Sequence, residues 1–117
     1  MGLPLFDKLG TPTTFLFDGG FCNLSGQYVA YLINEHVFGL AGQHVGWWED
    51  DCVRGHDGGV MVWALGAQLG LHLPKPYTAF TMPNPVAQPA RSGFPNFNVP
   101  DRPLDFVAWS REMFPVF

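Results

Sequence analysis

The run Trp48-Glu49-Asp50 places an aromatic ring beside two carboxylates. Carbohydrate sites combine these groups, because the ring stacks on a sugar and the acids bind its hydroxyls. With His44 as a further polar group, we predict Trp48, Glu49, Asp50 and His44 as candidate ligand-binding residues. The alternative interpretation is that the acids form a solvated turn and the ring packs in the protein.

Four histidines could supply acid–base or metal chemistry: His36, His44, His56 and His72. No pair has the i, i+4 spacing of helical zinc ligands, and three of them lie in or beside predicted turns. We therefore predict no metal site, no cofactor and no catalytic residues. A small effector or toxin-like enzyme would need a pocket that brings His44 or His56 together with an acid.

The two cysteines, Cys22 and Cys52, do not form a redox motif. A thiol-disulfide oxidoreductase needs Cys-x-x-Cys so that a second thiol can attack the mixed disulfide, and here Ser25 stands in that place. The sequence leaves open whether Cys22 and Cys52 pair with each other.

Composition and charge narrow the range of partners. The chain has 117 residues, 47% hydrophobic and 14% charged, and its formal net charge is −4. Nucleic-acid binding needs clustered basic residues, so we expect no nucleic-acid partner. No apolar run approaches the roughly 18 residues that span a bilayer, and the first residues lack the features of a signal peptide. We expect a cytoplasmic protein without a membrane partner.

Most of the candidate residues named above lie within four tandem 16-residue repeats. The repeats align without gaps over 5–20, 21–36, 37–52 and 53–68. The sixth position is always Gly and the eleventh always aromatic. The residues concerned are Gly10, Gly26, Gly42 and Gly58, and Phe15, Tyr31, Trp47 and Trp63. The glycines indicate turns that need a positive φ, and β-rich runs follow them. Each repeat therefore predicts one hairpin, and the four predict an all-β, eight-stranded antiparallel meander.

The second strand of each predicted hairpin is apolar on both faces. Side chains alternate with a period of two, so positions nine, eleven and thirteen share one face. We predict the four aromatic residues at position eleven as core. Positions ten and twelve, on the opposite face, are also largely apolar. A sheet that faced water there would carry polar residues, so we expect something to cover this face, and the tail is the obvious cover.

Residues 74–117 form a tail of different character. They hold nine of the eleven prolines and many aromatic residues. We expect an extended tail that lies over the β domain or over a neighbouring subunit, with a short helix near 102–113 capped by Asp101. The predicted organisation is a four-repeat β domain over 1–73 followed by the tail.

The stretches 26–32 (GQYVAYL) and 42–48 (GQHVGWW) share the pattern Gly-x-x-Val-(Gly/Ala)-(Tyr/Trp)-(Leu/Trp). This repeated pattern, with a Pro-rich tail, resembles bacterial proteins of the four-fold β-flower family. The resemblance implies four hairpins around a pseudo-four-fold axis, as a flower or a small barrel, and it supplies no enzymatic activity that could be transferred to this chain. The first and fourth repeats depart from the pattern, with Thr13-Thr14-Phe15 and Met61-Val62-Trp63.

The leading hypothesis for the function is a non-enzymatic binding or assembly module. Its basis is a small two-faced apolar meander joined to an aromatic tail, an arrangement that suits homo-oligomerisation or a protein partner. A carbohydrate-binding module is the alternative, and a small enzyme is the third hypothesis.

Overall fold

The computed structural model describes residues 2–79, 102–104 and 108–115. Within them, eight antiparallel strands follow one another around a closed barrel. The strands are β1 (Leu3–Phe6), β2 (Pro12–Phe17), β3 (Gly20–Asn23), β4 (Tyr28–Ile33), β5 (His36–Gly39), β6 (His44–Glu49), β7 (Cys52–Arg54) and β8 (Val60–Trp63). The pair Phe6 and Trp63 joins β8 to β1 and closes the barrel. The predicted all-β meander is confirmed. In the described ranges, no helix has the length and hydropathy to cross a membrane.

The four hairpins, β1–β2, β3–β4, β5–β6 and β7–β8, have the same loop. In each loop a glycine N–H donates to the carbonyl three residues earlier at 3.0 Å: Gly10 to Asp7, Gly26 to Asn23, Gly42 to Gly39 and Gly58 to Gly55. The φ angles of these glycines lie between 80° and 91°. Residues with a Cβ rarely adopt such angles, so the loop backbone accounts for the glycine at position six of every repeat.

A β-bulge interrupts each hairpin next to its loop. In the second hairpin, Phe21 pairs with Ala30 but Cys22 pairs with Tyr28, which leaves Val29 as the extra residue. The other three hairpins shift register at the corresponding place. Bulges bend a strand and increase its twist. Four regularly spaced bulges therefore give these short strands the curvature that closes a small barrel.

One hydrophobic cluster takes residues from all four hairpins and fills the barrel interior. It includes Ala30, Val62 and Ala64 of positions ten and twelve, and the partly buried Leu16, Leu32 and Trp48 of position twelve pack against it. The face that the sequence suggested the tail should cover is thus covered mainly by closure of the sheet. Val29, Val45 and Met61 of position nine also belong to this cluster. The prediction that position nine shares a face with position eleven is wrong, because the bulge interrupts the alternation between positions nine and ten.

The aromatic residues of position eleven lie outside this interior cluster. Phe15, Tyr31, Trp47 and Trp63 are each at most 2% exposed. Phe15 packs with Cys22 and Tyr28, and Trp63 packs with Phe6, Cys52, Val60 and Leu69. These side chains therefore form smaller buried clusters on the outer face of the barrel.

In the described residues, the chain after β8 contacts the barrel at several places, and backbone hydrogen bonds hold it at two hairpins. Tyr77 N donates to Gly10 O at 2.8 Å, which holds this part of the chain against the first hairpin. Residues 108–115 lie on the fourth hairpin, where Trp109 forms a parallel bridge with Val60. The helix expected near 102–113 does not form in its described part, because backbone groups there bond to a strand instead. Asp101 and residues 105–107 lie outside the described residues, and the domain boundary at 73–74 stays a prediction.

Candidate functional site

The fourth hairpin binds residues 108–115, which we call the docked segment. β1 pairs with β8 through Phe6 and Trp63, at the end of β8. At the start of β8, Val60 N donates to Ala108 O at 3.0 Å, and Ser110 N donates to Val60 O at 2.8 Å. The docked segment therefore adds to the sheet by backbone hydrogen bonds, as in peptide recognition by strand addition.

Asp57 in the loop of the fourth hairpin fixes the register of the docked segment. Its Oδ1 accepts from Ser110 Oγ at 2.8 Å and from Gly59 N at 3.0 Å, and its Oδ2 accepts from Arg111 N at 2.8 Å. Burial raises the pKa of Asp57, but these hydrogen bonds outweigh burial and hold the pKa below its ordinary value of 3.8. The bonds favour the ionised carboxylate, so Asp57 acts as an anionic clamp on the segment.

Two glycines give the docked segment room to approach. A Cβ at Gly59 would lie 2.7 Å from Ser110 Cα and Ser110 N. A Cβ at Gly55 would collide with Glu112 Oε1 and would lie 2.8 Å from Ser110 Oγ. Neither glycine has a positive φ. Glycine is therefore required at these two positions because a side chain would collide with the docked segment, and not because of the backbone conformation.

Phe114 anchors the far end of the docked segment in the barrel. Its side chain is 7% exposed and belongs to the interior cluster. The ring meets Phe21 edge-on, with ring centroids 5.2 Å apart. Burial of a phenylalanine contributes about 1.5–3 kcal/mol, so Phe114 supplies a large share of the docking energy.

Three histidines connect the third and fourth hairpins to the docked segment. His36 Nδ1 lies 3.3 Å from His44 Nε2, and His44 Nδ1 lies 2.8 Å from His56 Nε2. Glu112 Oε2 lies 3.2 Å from His56 Nδ1, and Glu112 Oε1 accepts from His56 N at 2.5 Å. We call these four residues the histidine chain.

The hydrogen bonds of the histidine chain run in one direction. The Glu112 carboxylate can only accept, so His56 Nδ1 donates to it, and in a neutral His56 ring the Nε2 atom is then the acceptor. His44 Nδ1 then donates to His56, and His36 Nδ1 donates to His44. Both ring nitrogens of His44 and His56 are therefore engaged in the chain. Because neither histidine has a ring nitrogen left for a substrate, the chain is better suited to positioning than to catalysis.

Protonation of His44 is unfavourable in this arrangement. The pKa of His44 is lowered from 6.5 to about 4, mainly by burial and in part by the neighbouring His56 and His36. With Glu112, Met61 and Met113, His44 and His56 line a cavity of about 240 Å³. His44 is therefore neutral at pH 7, as the directional chain requires.

The structure separates His44 from the other candidate ligand residues. Trp48 turns into the barrel, where its ring centroid lies 6.1 Å from that of Phe21. Glu49 is on the opposite side of the strand and forms an ion pair with Arg102, whose Nη1 donates to Glu49 Oε2 at 2.6 Å. Asp50 is exposed in the β6–β7 turn with a φ of 52°. His44 begins β6, whereas Trp48 and Glu49 end it and Asp50 follows it, so the structure does not bring His44 together with the other three residues.

The sequence interpretation missed five residues of the docking site: Gly55, Asp57, Gly59, Glu112 and Phe114. Position five of the first three repeats is Leu, Ser and Ala, and position seven is Thr, Gln and Gln. The fourth repeat has Asp57 and Gly59 at these positions. The departure of the fourth repeat from the other three at these positions could therefore have indicated the docking site. No such signal existed for the docked segment, which lies outside the repeats.

The cysteines are not part of the docking site or of the histidine chain. Cys22 and Cys52 are buried and are not joined in a disulfide. Burial raises the pKa of the Cys22 thiol, and a hydrogen bond with Tyr28 opposes this in part. Among the residues that the structure describes, no group of three or more His, Cys, Asp or Glu is arranged to hold a metal ion.

No match is found among curated proteins or among solved structures. The sequence does match the family described as 4-fold beta flower protein, over residues 3–117. This match includes the four hairpins and the docked segment, and it agrees with the closed barrel of four hairpins. The chain belongs to the 4-fold beta flower protein family.

Proposed function

We propose that the protein is a non-enzymatic assembly module whose fourth hairpin binds an extended C-terminal segment, and that a second copy of the chain supplies this segment in the assembled state. The observation that carries the proposal is the paired backbone hydrogen bonding of Val60 with Ala108 and Ser110. Such bonds give affinity for extended chain, and flanking side-chain contacts give specificity.

The side-chain contacts specify which segment fits. Asp57 accepts from a serine hydroxyl and from the next backbone N–H, and His56 holds the following glutamate. Phe114, two residues after that glutamate, fills the barrel interior. The site therefore favours the order Ser-Arg-Glu-x-Phe, which this chain contains once, at 110–114.

The length of the connection permits a second copy of the chain to donate the segment. Residues 64–107 separate β8 from the docked segment. A connection of this length can deliver the segment to its own hairpin or to that of a neighbour, and exchange of an identical element between protomers is a low-cost route to a dimer.

A complementation experiment tests the proposal with two full-length variants. Ser110→Pro removes the N–H that bonds to Val60 O and leaves the hairpin intact. Gly59→Gln blocks the hairpin and leaves the segment intact, and Gln27 and Gln43 occupy the same position of other hairpins. We expect neither variant to dimerise alone and the equimolar mixture to form a heterodimer in sedimentation velocity.

The controls separate exchange from other association. Thr11→Gln makes the matched change in the first hairpin and leaves both the fourth hairpin and the segment intact, so this variant should still form a heterodimer with Ser110→Pro. A double variant with both Gly59→Gln and Ser110→Pro should not associate with Gly59→Gln, because both hairpins are blocked. A mixture of the two single variants that stays monomeric while both remain folded by circular dichroism would refute assembly by segment exchange.

A further inference from the structure

We propose that the histidine chain makes docking sensitive to pH, so that acid releases the docked segment from the fourth hairpin. This inference concerns regulation of the docking site and rests on the proposed function. The geometric basis is that His36, His44 and His56 come from the barrel, whereas the last member, Glu112, belongs to the docked segment. A change in the protonation of the chain therefore acts directly on a contact between the two parts.

His44 occupies the middle of the chain and depends on the segment for part of its cover. Met113 and Pro115 of the docked segment line the same cavity as His44. The ring also packs against Trp47, with centroids 4.7 Å apart. Release of the segment would remove Met113, Pro115 and Glu112 from this cavity. It would expose the His44 ring to water and free His56 from the orientation that Glu112 imposes.

The charged and titratable groups around His44 come from every neighbouring element. His36 on β5 and His56 in the loop of the fourth hairpin contact it directly, and Glu112 on the docked segment completes the chain. Asp57 lies next to His56 in the same loop. The buried Arg54 on β7 donates from Nη1 to Gly58 O at 2.8 Å. Arg111 has an exposed side chain.

The lowered pKa of His44 indicates that acid should weaken docking of the segment. With the segment docked, the pKa of His44 is about 4, below its ordinary value of 6.5. Release of the segment moves this pKa back towards 6.5. Between these pH values His44 therefore binds more protons in the released state than in the docked state, and protonation of His44 favours release. Docking is strongest above pH 6.5 and weakens as the pH falls towards 4. The pKa of Asp57 lies below 3.8, so the Asp57 clamp persists through this window.

Amide hydrogen exchange in the full-length protein measures docking directly. The reporter is the Ser110 amide, which bonds to Val60 O. We expect its protection factor, corrected for intrinsic exchange, to fall roughly tenfold from pH 7 to pH 4.5, since one pKa unit corresponds to a factor of ten and His44 is only partly buried. The Tyr31 amide in β4 reports on the barrel and should keep its protection. Constant protection at Ser110 across this range would overturn the inference.

Two matched variants assign the effect to the histidine chain. His44→Phe keeps an aromatic ring but cannot titrate, so Ser110 protection should become independent of pH between 7 and 4.5. His72→Phe makes the same change at an exposed histidine outside the chain and should retain the wild-type pH dependence. Nitrogen-15 shifts give a second readout, because the directional chain predicts the neutral Nδ1–H form for His44 at pH 7. Equal pH dependence in both variants contradicts the inference.

Gly59→Gln separates failure of this inference from failure of the proposed function. If Gly59→Gln leaves Ser110 protected at pH 7, the docking site itself is wrong and both proposals fall. If Gly59→Gln removes the protection but His44→Phe keeps the pH dependence, docking stands and the histidine chain does not regulate it.

Discussion

In the first hairpin a loop carboxylate accepts hydrogen bonds from backbone groups of its own loop. In the fourth hairpin a loop carboxylate also accepts hydrogen bonds from a distant part of the chain. Asp7 Oδ1 accepts from Leu9 N at 2.8 Å and from Thr11 N at 3.0 Å. Asp57 Oδ1 accepts from Gly59 N, but the carboxylate also binds Ser110 and Arg111. The two loops have the same backbone turn, so the difference between the partners of their carboxylates comes from the side chains.

The position of the acid within the loop accounts for this difference. Asp7 stands at position three of its repeat, and Asn23 at the same position caps the second loop in the same way. The fourth hairpin has Gly55 there and places its acid two residues later, at Asp57. Because Gly55 has no side chain, Glu112 can occupy the space beside it, and the carboxylate of Asp57 lies where it can bind the docked segment. The comparison teaches that a repeat can acquire a binding site without any change of fold.

The largest expected effect comes from Gly59→Gln, which gives the fourth loop the residue of the second and third. The new side chain would occupy the place of the Ser110 backbone. Loss of the Phe114 anchor and of the docking hydrogen bonds, offset by the entropy that the released segment regains, should lower the free energy of unfolding by about 3 kcal/mol. Urea denaturation measures this change. Thr11→Gln in the first loop should cost less than about 0.5 kcal/mol, and a similar cost for both would contradict the comparison.

A smaller effect is expected when each loop acid is removed. Asp57→Ala loses three accepted hydrogen bonds, two of them from the docked segment, and should cost about 1.5–2 kcal/mol. Asp7→Ala loses two bonds within its own loop and should cost about 1 kcal/mol. Ser110 amide exchange distinguishes the two variants, because only Asp57→Ala should accelerate it. Acceleration in Asp7→Ala as well would mean that the loops are coupled through the barrel.

The sequence was sufficient for the eight-stranded meander, but not for closure of the sheet against itself or for the site. Loop glycines such as Gly10 are visible because each loop must satisfy the same local backbone requirement, independent of the rest of the fold. The bulge at Val29 was not visible, because the inserted residue is apolar like its neighbours and nothing in the pattern marks the break in alternation. The two faces of the strand were therefore interpreted incorrectly around that position.

The histidine chain illustrates why the site itself was hidden. His36, His44 and His56 stand at positions sixteen, eight and four of three successive repeats. They meet because adjacent hairpins lie side by side on the barrel, a relation that periodicity within one repeat does not contain. Glu112 lies outside the repeats altogether. A fold-level arrangement, and not a local motif, brings these groups together.

The overall stability of the protein should depend on pH in the same direction as docking. The folded-state pKa of His44, about 4, is below its ordinary value of 6.5. Its contribution to stability is therefore complete above pH 6.5 and is lost as the pH falls towards 4. We expect the thermal midpoint to decrease over this range, by less than Asp57→Ala lowers it, because His44 is only partly buried. The second hairpin has Tyr28 at the equivalent position, so His44→Tyr should flatten the profile, and an unchanged profile would assign the effect to other groups.

The smallest effect is expected at the other end of β6, where the candidate ligand residue Glu49 pairs with Arg102. The two side chains are 30% and 28% exposed, and ion pairs at such positions contribute at most about 1 kcal/mol. Glu49→Gln should therefore change the free energy of unfolding by less than that amount and leave Ser110 exchange unchanged. Glu35→Gln, an exposed carboxylate at the same end of the barrel, is the control. If Glu49→Gln released the docked segment, the pair with Arg102 would belong to the docking site, and the fourth hairpin would not suffice to hold the segment.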